Sequence, residues 1–233
     1  MTCVADRQQL PSGASLPRHR HGEAYVALVL EGGYEEAGVL GRVRVEPGQA
    51  VLHGAFEGHR NRIGARGARV LNLTLPAGLD LATGLGAVRD ADAAARTAER
   101  DPAAALAILL DGLVRLAPRP ADWLDELAGA IAAEPALRLG GWGRNRGLSP
   151  AALSRAFAGA YGETPIRFRL ETRARRAWRA IVDGRAPLAD IAAEAGFADQ
   201  AHMGRAVKAL TGRTPGAWRA EAGRPANGFK TAA

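Results

Sequence analysis

Gly162-Glu163-Thr164-Pro165-Ile166-Arg167-Phe168-Arg169 returns fifty residues later as Gly212-Arg213-Thr214-Pro215-Gly216-Ala217-Trp218-Arg219. Gly, Thr, Pro, an aromatic and Arg stay in register. Upstream at the same offset, Ser149 aligns with Asp199, Leu153 with Met203, Arg155 with Arg205 and Phe157 with Val207. Self-similarity at a fixed period marks a repeated structural unit. Ser149 and Asp199 are helix N-cap types, and Pro150 suits the first helical position. Leu153 and Phe157, like Met203 and Val207, stand four apart on one helix face. Gly162 and Gly212 supply left-handed stops. Thr164-Pro165 and Thr214-Pro215 then open further helices.

Ahead of the second copy, Leu188–Phe197 reads as a short helix ending in the Gly196 turn. Short helix, glycine turn and capped helix with an outward arginine make a helix-turn-helix. The matching segment of the first copy, Leu139–Gly147, is glycine-rich. Each glycine costs a helix about 1 kcal/mol, so a short helix is expected there. Between the copies a helix from Pro165 to about Val182 carries Arg167, Arg169, Arg173, Arg175, Arg176 and Arg179. Its roughly 27 Å length is enough to space two helices for successive major grooves, about 34 Å apart.

Charge divides along the same line. Residues 1–135 carry a net −3 and residues 136–233 a net +10, almost all of it arginine. A strongly basic half predicts a polyanionic partner. The exposed face of the first capped helix offers Ala151, Ser154 and Arg155, and that of the second Gln200, Ala201, His202 and Arg205. Arginine suits guanine and glutamine suits adenine in the major groove. Lys208, Arg169, Arg173 and Arg219 are phosphate-contact candidates, which give affinity without sequence information.

The run Ile191-Ala192 … Gly196-Phe197 … Arg205 … Lys208 … Thr211-Gly212 … Thr214-Pro215 … Trp218-Arg219 resembles the signature of the AraC/XylS transcription regulators, over roughly residues 121–222. Val207 stands where that family usually has an aromatic. The resemblance implies that the exposed residues just named meet base edges in double-stranded DNA. It also implies RNA polymerase as a partner for an activator, and a sensing or dimerising N-terminal half.

That half reads as strand: Tyr25–Leu30, Val43–Leu52 around Pro47-Gly48, and Val70–Leu75 are apolar or alternating and bounded by turn residues, as in a sandwich or small barrel. Four of the five histidines fall in residues 19–59. Gly13-x5-His19-x-His21 and Glu46-Pro47-Gly48 … Gly58-His59-Arg60-Asn61 resemble the two cupin motifs, with Tyr25 or Val26 where a ligating glutamate usually stands. His19, His21 and Glu23 alternate on a strand and so share a face. With His59 they form a candidate site for Zn, Fe, Ni or Mn, and His53 and Glu57 are further candidates. The other reading is a polar pocket for a small-molecule effector.

Asp101-Pro102 opens a helix with Leu106, Leu109, Leu110, Leu113 and Leu116 at helical spacing. It either covers the sheet or forms a homodimer. Pro118-Arg119-Pro120 reads as a linker. The expected organisation is α+β: a cupin-like β-barrel with flanking helices over 1–90, linker and dimer helices over 91–120, and an all-α double helix-turn-helix domain over 121–233. One cysteine, Cys3, excludes an intramolecular disulfide framework. No apolar run approaches the length of a membrane span, so a cytoplasmic protein without a membrane partner is expected. The expected function is DNA-binding transcription regulation, controlled by an effector or metal and without enzymatic activity. A metal-dependent cupin enzyme fused to a DNA-binding module is the alternative, and a pure metal sensor a third reading.

Overall fold

The computed structural model describes residues 3–76, 79, 81–134 and 136–222; residues 223–233 of the expected C-terminal domain lie outside them. Contacts divide the chain into two compact units. One holds the described residues of Met1–Ala133 together with Arg138–Pro165. The other holds those of Glu134–Leu137 and Ile166–Ala233.

The first unit is built on β1 (Ala5–Leu10), β2 (Ser15–His19), β3 (Tyr25–Gly38), β4 (Gly41–Val45), β5 (Gln49–His53), β6 (His59–Thr74), β7 (Gly84–Val88) and β8 (Leu113–Leu116). They form one sheet in the order β1-β6-β3-β5-β7-β8, with β2 on β6 and β4 on β3. Every pairing is antiparallel. β3 and β6 are long because each is bent at bulges, between Val29 and Glu31 and between Gly32 and Tyr34. Glycine is required at the bend: Gly32 has φ +69°, and a Cβ there would stand 1.9 Å from the Gly67 carbonyl oxygen. β3 thus pairs β5 through Tyr25–Leu28 and β4 through Tyr34–Gly38.

Alternation along β3 separates two apolar layers. Val26 and Leu28 join Leu52, Leu71 and Leu73, covered by α1 (Ala91–Thr97) and α2 (Pro102–Asp111). Ala27 and Val29 join Val45, Val51, Ile63 and Val70 on the other face. Asp90 and Asp101 cap the two helices, accepting from Ala93 N and Ala104 N. Leu106 and Leu109 are buried against the sheet, and β8 adds to β7 with Leu85 opposite Leu116. Residues 91–116 are therefore part of the sheet unit and not a linker. The leucine spacing is helical up to Leu110, whereas Leu113 and Leu116, expected on the same helix, lie beyond Gly112 in β8.

The same unit takes in α3 (Trp123–Ala133), α4 (Leu139–Arg144) and α5 (Pro150–Tyr161). Buried Asp125 on α3 accepts from Arg42 Nε at 2.9 Å, from the Tyr161 hydroxyl at 2.6 Å and from Ala121 N at 2.9 Å. It thereby joins β4, α3 and α5. The short α4 has the expected brevity, and Gly143 has a packing reason: a Cβ there would meet Leu153 Cδ1 at 2.9 Å. The second unit holds α6 (Pro165–Asp183) from Ile166 onward, with α7 (Leu188–Glu194), α8 (Gln200–Thr211) and α9 (Pro215–Ala222). The nineteen residues of α6 give about 28 Å. Among the described residues no helix is long and apolar enough to cross a membrane.

Candidate functional site

The cavity of the sheet unit, about 760 Å³, is lined by residues that alternate along the bent strands, among them Tyr25 and Ala27, Tyr34 and Glu36, His59 and Asn61. His19 on β2 pairs directly with His59 on β6. Their rings lie 4.3 Å apart, and His21 lies 5.2 and 5.7 Å from them. Ligand nitrogens of His19, His21 and His59 all fall within 4.8 Å of one another. The expected triad is thus brought together. Glu23 is exposed at the cavity wall and is not among the groups within that distance. Alternation put it on the right face, but the strand ends at His19 and residues 20–24 form a loop.

His19 Nδ1 lies 2.8 Å from the Pro17 carbonyl and His59 Nδ1 3.3 Å from the Glu57 carbonyl. Donation from Nδ1 to backbone leaves each Nε2 as the lone-pair nitrogen, the arrangement that orients ligating histidines. Burial, then the neighbouring His19 and His21, push His59 down to about 3. Burial and His19 also lower His21. Both are therefore neutral, the ligating form, at neutral pH.

Sequence reasoning missed the carboxylate beneath them. Glu36, His53 and His59 form a second group within 4.8 Å, all buried. Asn61 Nδ2 donates to Glu36 Oε2 at 3.1 Å, and His53 Nε2 stands 3.5 Å from the same oxygen. Burial and nearby Glu57 push the Glu36 carboxyl up to about 8. Tyr25, which with Val26 marks where a cupin glutamate was expected, stacks on His53 at 4.5 Å, with its hydroxyl 3.3 Å from His59 Nε2. Glu36 is not among the candidates that the sequence offers. The available signal was its place two residues after Tyr34, on an alternating strand. Glu57 is buried and accepts from the Thr83 hydroxyl.

In the helical repeats the expected caps form. Ser149 Oγ accepts from Ala152 N at 3.2 Å and Asp199 Oδ1 from His202 N at 2.6 Å. Gly162 and Gly212 close α5 and α8 at φ +77° and +78°. Leu153, Phe157, Met203 and Val207 are buried. Ala151 and Arg155 are exposed on α5, with Ser154 half-buried; Gln200, Ala201, Arg205 and Lys208 are exposed on α8. His202 is half-buried, its ring edge-on to Phe197 at 5.2 Å. The half-buried arginines have local work. Arg169 Nη1 donates to the Leu137 carbonyl at 2.7 Å. Arg173 lies over the Gly196 turn, 3.3 Å from where a Cβ would stand. Burial and then Arg169 lower its pKa. Arg219 is half-buried on α9.

Residues 142–221 match a family model described as a helix-turn-helix domain. No curated protein matches the chain in sequence. Among solved structures, fatty-acid-bound ToxT from Vibrio cholerae is similar at 10% identity and TM-score 0.42, covering 94% of this chain and 95% of that one. A probable AraC family regulator from Rhodopseudomonas palustris is similar at 23% identity and TM-score 0.40, over 44% of this chain and 97% of that one. The C-terminal domain of AraT from Geobacillus stearothermophilus is similar at 20% identity and TM-score 0.43, over 48% and 96%. With TM-scores below 0.5, none of the three speaks to this chain's ligand or operator. The duplicated capped helices and the family match agree: residues 142–221 are a helix-turn-helix domain, following an antiparallel sheet domain.

Proposed function

We propose that this protein is a sequence-specific DNA-binding transcription regulator whose sheet domain takes a divalent transition metal in its histidine cavity. The observation that carries the DNA reading is the repeat itself. Two capped helices end in the same left-handed glycine and expose an arginine at the same position, Arg155 and Arg205. A recognition helix presents such residues to the major groove. Lys208 on the same helix as Arg205, Arg169 and Arg173 on α6 and Arg219 on α9 are the phosphate-side candidates.

His19, His21 and His59 would hold the metal, and Zn, Fe, Ni or Mn suits three imidazoles. The donor set supports this: two of the three rings have Nδ1 engaged by backbone carbonyls, and one ligand nitrogen of each ring lies within 4.8 Å of the others. A bound ion would supply a fixed positive charge that relieves the crowding of these rings. Glu36, His53 and Asn61 would form the polar floor.

The test of the DNA reading starts from selection of duplexes by the full chain out of a random pool, followed by affinity measurement with Arg205→Ala. The variant is expected to bind the selected duplex about 5- to 150-fold more weakly, the equivalent of 1–3 kcal/mol for one bidentate base contact. Its affinity for unrelated duplex should change little. Equal affinity and equal sequence preference in variant and parent would remove α8 from the base-reading role.

A further inference from the structure

We propose that Arg18 and Arg60 couple the histidine cavity to the first recognition helix, as positioning residues that set the C-terminal turn of α5 according to what the cavity holds. The inference rests on the reading above, with α5 as a DNA-reading helix and the histidines as the ligand set.

His19 and His59 are partners across the β2–β6 pairing and both line the cavity. The neighbours Arg18 and Arg60 are not among the residues lining the cavity: Arg60 turns away by strand alternation, and Arg18 leaves β2 where its register is irregular. Both reach the same helix end. Arg18 Nε lies 2.6 Å from Glu163 Oε1, with side chains only 10% and 7% exposed. Arg60 Nη1 donates to the Gly159 carbonyl at 2.7 Å. Gly162 closes α5 between them, where a Cβ would stand 3.2 Å from Arg18 Cβ and 3.4 Å from Arg60 Cδ. The last carbonyls of a helix lack intrahelical partners and attract cations. The contact is therefore a grip on backbone as well as on a side chain.

The second repeat differs at the matching turn. A Cβ at Gly212 would meet nothing within 4 Å. At the position matching Glu163 the repeat reverses charge to Arg213, which pairs with Glu221 and lies over the Trp218 ring at 4.4 Å. The acidic residue of the first copy is thus fitted to its arginine. A buried ion pair is either made or lost at high cost. That two-state character lets a small shift at one site be felt at another. Drawing the His19 and His59 rings onto a common ion displaces the backbone one residue away, where both arginines begin.

The experiment is a coupling cycle read by hydrogen exchange of the backbone amides of residues 158–162 in the full chain. Two perturbations are applied to the cavity: zinc ion, and His19→Ala, which needs no ligand. Each is applied to the parent and to Arg18→Ala/Arg60→Ala. In the parent, both perturbations are expected to change exchange in that turn by about 5-fold or more, the lower end of ordinary coupling between sites. In the double variant the response disappears while zinc affinity stays within about 2-fold. If the double variant does not fold, Glu163→Gln takes its place in the same cycle. A parent turn that ignores His19→Ala, or a variant that still responds, overturns the coupling. Zinc that fails to bind the parent overturns the metal reading, and the His19→Ala arm still decides the coupling.

Discussion

Asp125→Ala is expected to cost the sheet-bearing unit about 3 kcal/mol, in the lower part of the range for breaking a buried charge pair. The carboxylate accepts from Arg42 through side chain and backbone, from the Tyr161 hydroxyl and from Ala121 N. Its removal strands a buried phenol and a guanidinium at once. The loss is moderated because Arg42 keeps 21% of its side chain exposed and retains Asp122 at 2.6 Å. Denaturant unfolding followed by tryptophan fluorescence measures it, and a change below about 1 kcal/mol would mean that the network is incidental. The pH arm has a definite sign. Burial alone would raise Asp125, but the bonds from Arg42, Tyr161 and Ala121 outweigh it and hold the carboxyl below its ordinary value. A depressed acid contributes stability that is complete above the unfolded value, about 3.9, and is lost as pH falls through the lower folded value. Asp125→Asn should therefore show a shallower loss of stability below about pH 4 than the parent.

His19→Ala/His21→Ala is expected to abolish stoichiometric zinc binding, because it removes two of the three proposed ligands. Changes to residues that merely orient a ligand already cost 10- to 100-fold, roughly. Competition against a chromophoric chelator, on protein purified without nickel resin, reads this directly. Equal binding by parent and variant would move the site to Glu36, His53 and His59 or dissolve it. Unperturbed imidazoles would release the ion as pH falls below about 6. His59 is held neutral down to about 3 and His21 is lowered too. Proton competition at these two ligands is thus shifted to more acid pH, and release from the parent should lag behind that expected of unperturbed imidazoles.

The helical repeat was legible because its signals are local. Caps, proline at the first helical position and glycine stops act within a few residues, and the spacing of Leu153, Phe157, Met203 and Val207 named the buried face. The sheet was legible only where strands run through the core. β1, Ala5–Leu10, is a polar edge strand with little to distinguish it from loop. In β6 the apolar half from Val70 onward showed, while His59–Arg66 carries arginines on its outer positions. Glu36 and Asp125 were invisible as buried groups, because their partners come from other strands and helices. Asn61 is 25 residues from the first and Arg42 is 83 from the second. The boundary expected at residue 120 followed the Pro118-Arg119-Pro120 signal and the change of charge. Neither reports that α3 and α5 are tied to β4.

That tie bears on how the chain can be divided. A fragment starting at residue 121 looks natural on charge, yet it would leave Arg18, Arg42 and Arg60 behind. Asp125, the Gly159 carbonyl and Glu163 would then face water or each other without the cations they are fitted to. The two copies of the duplication have parted in this respect. The later copy carries its own supports, with Arg213 and Thr211 bracing Trp218. The earlier copy has become a tenant of the sheet, and an excised C-terminal half would inherit one self-sufficient helical repeat and one that has lost its landlord.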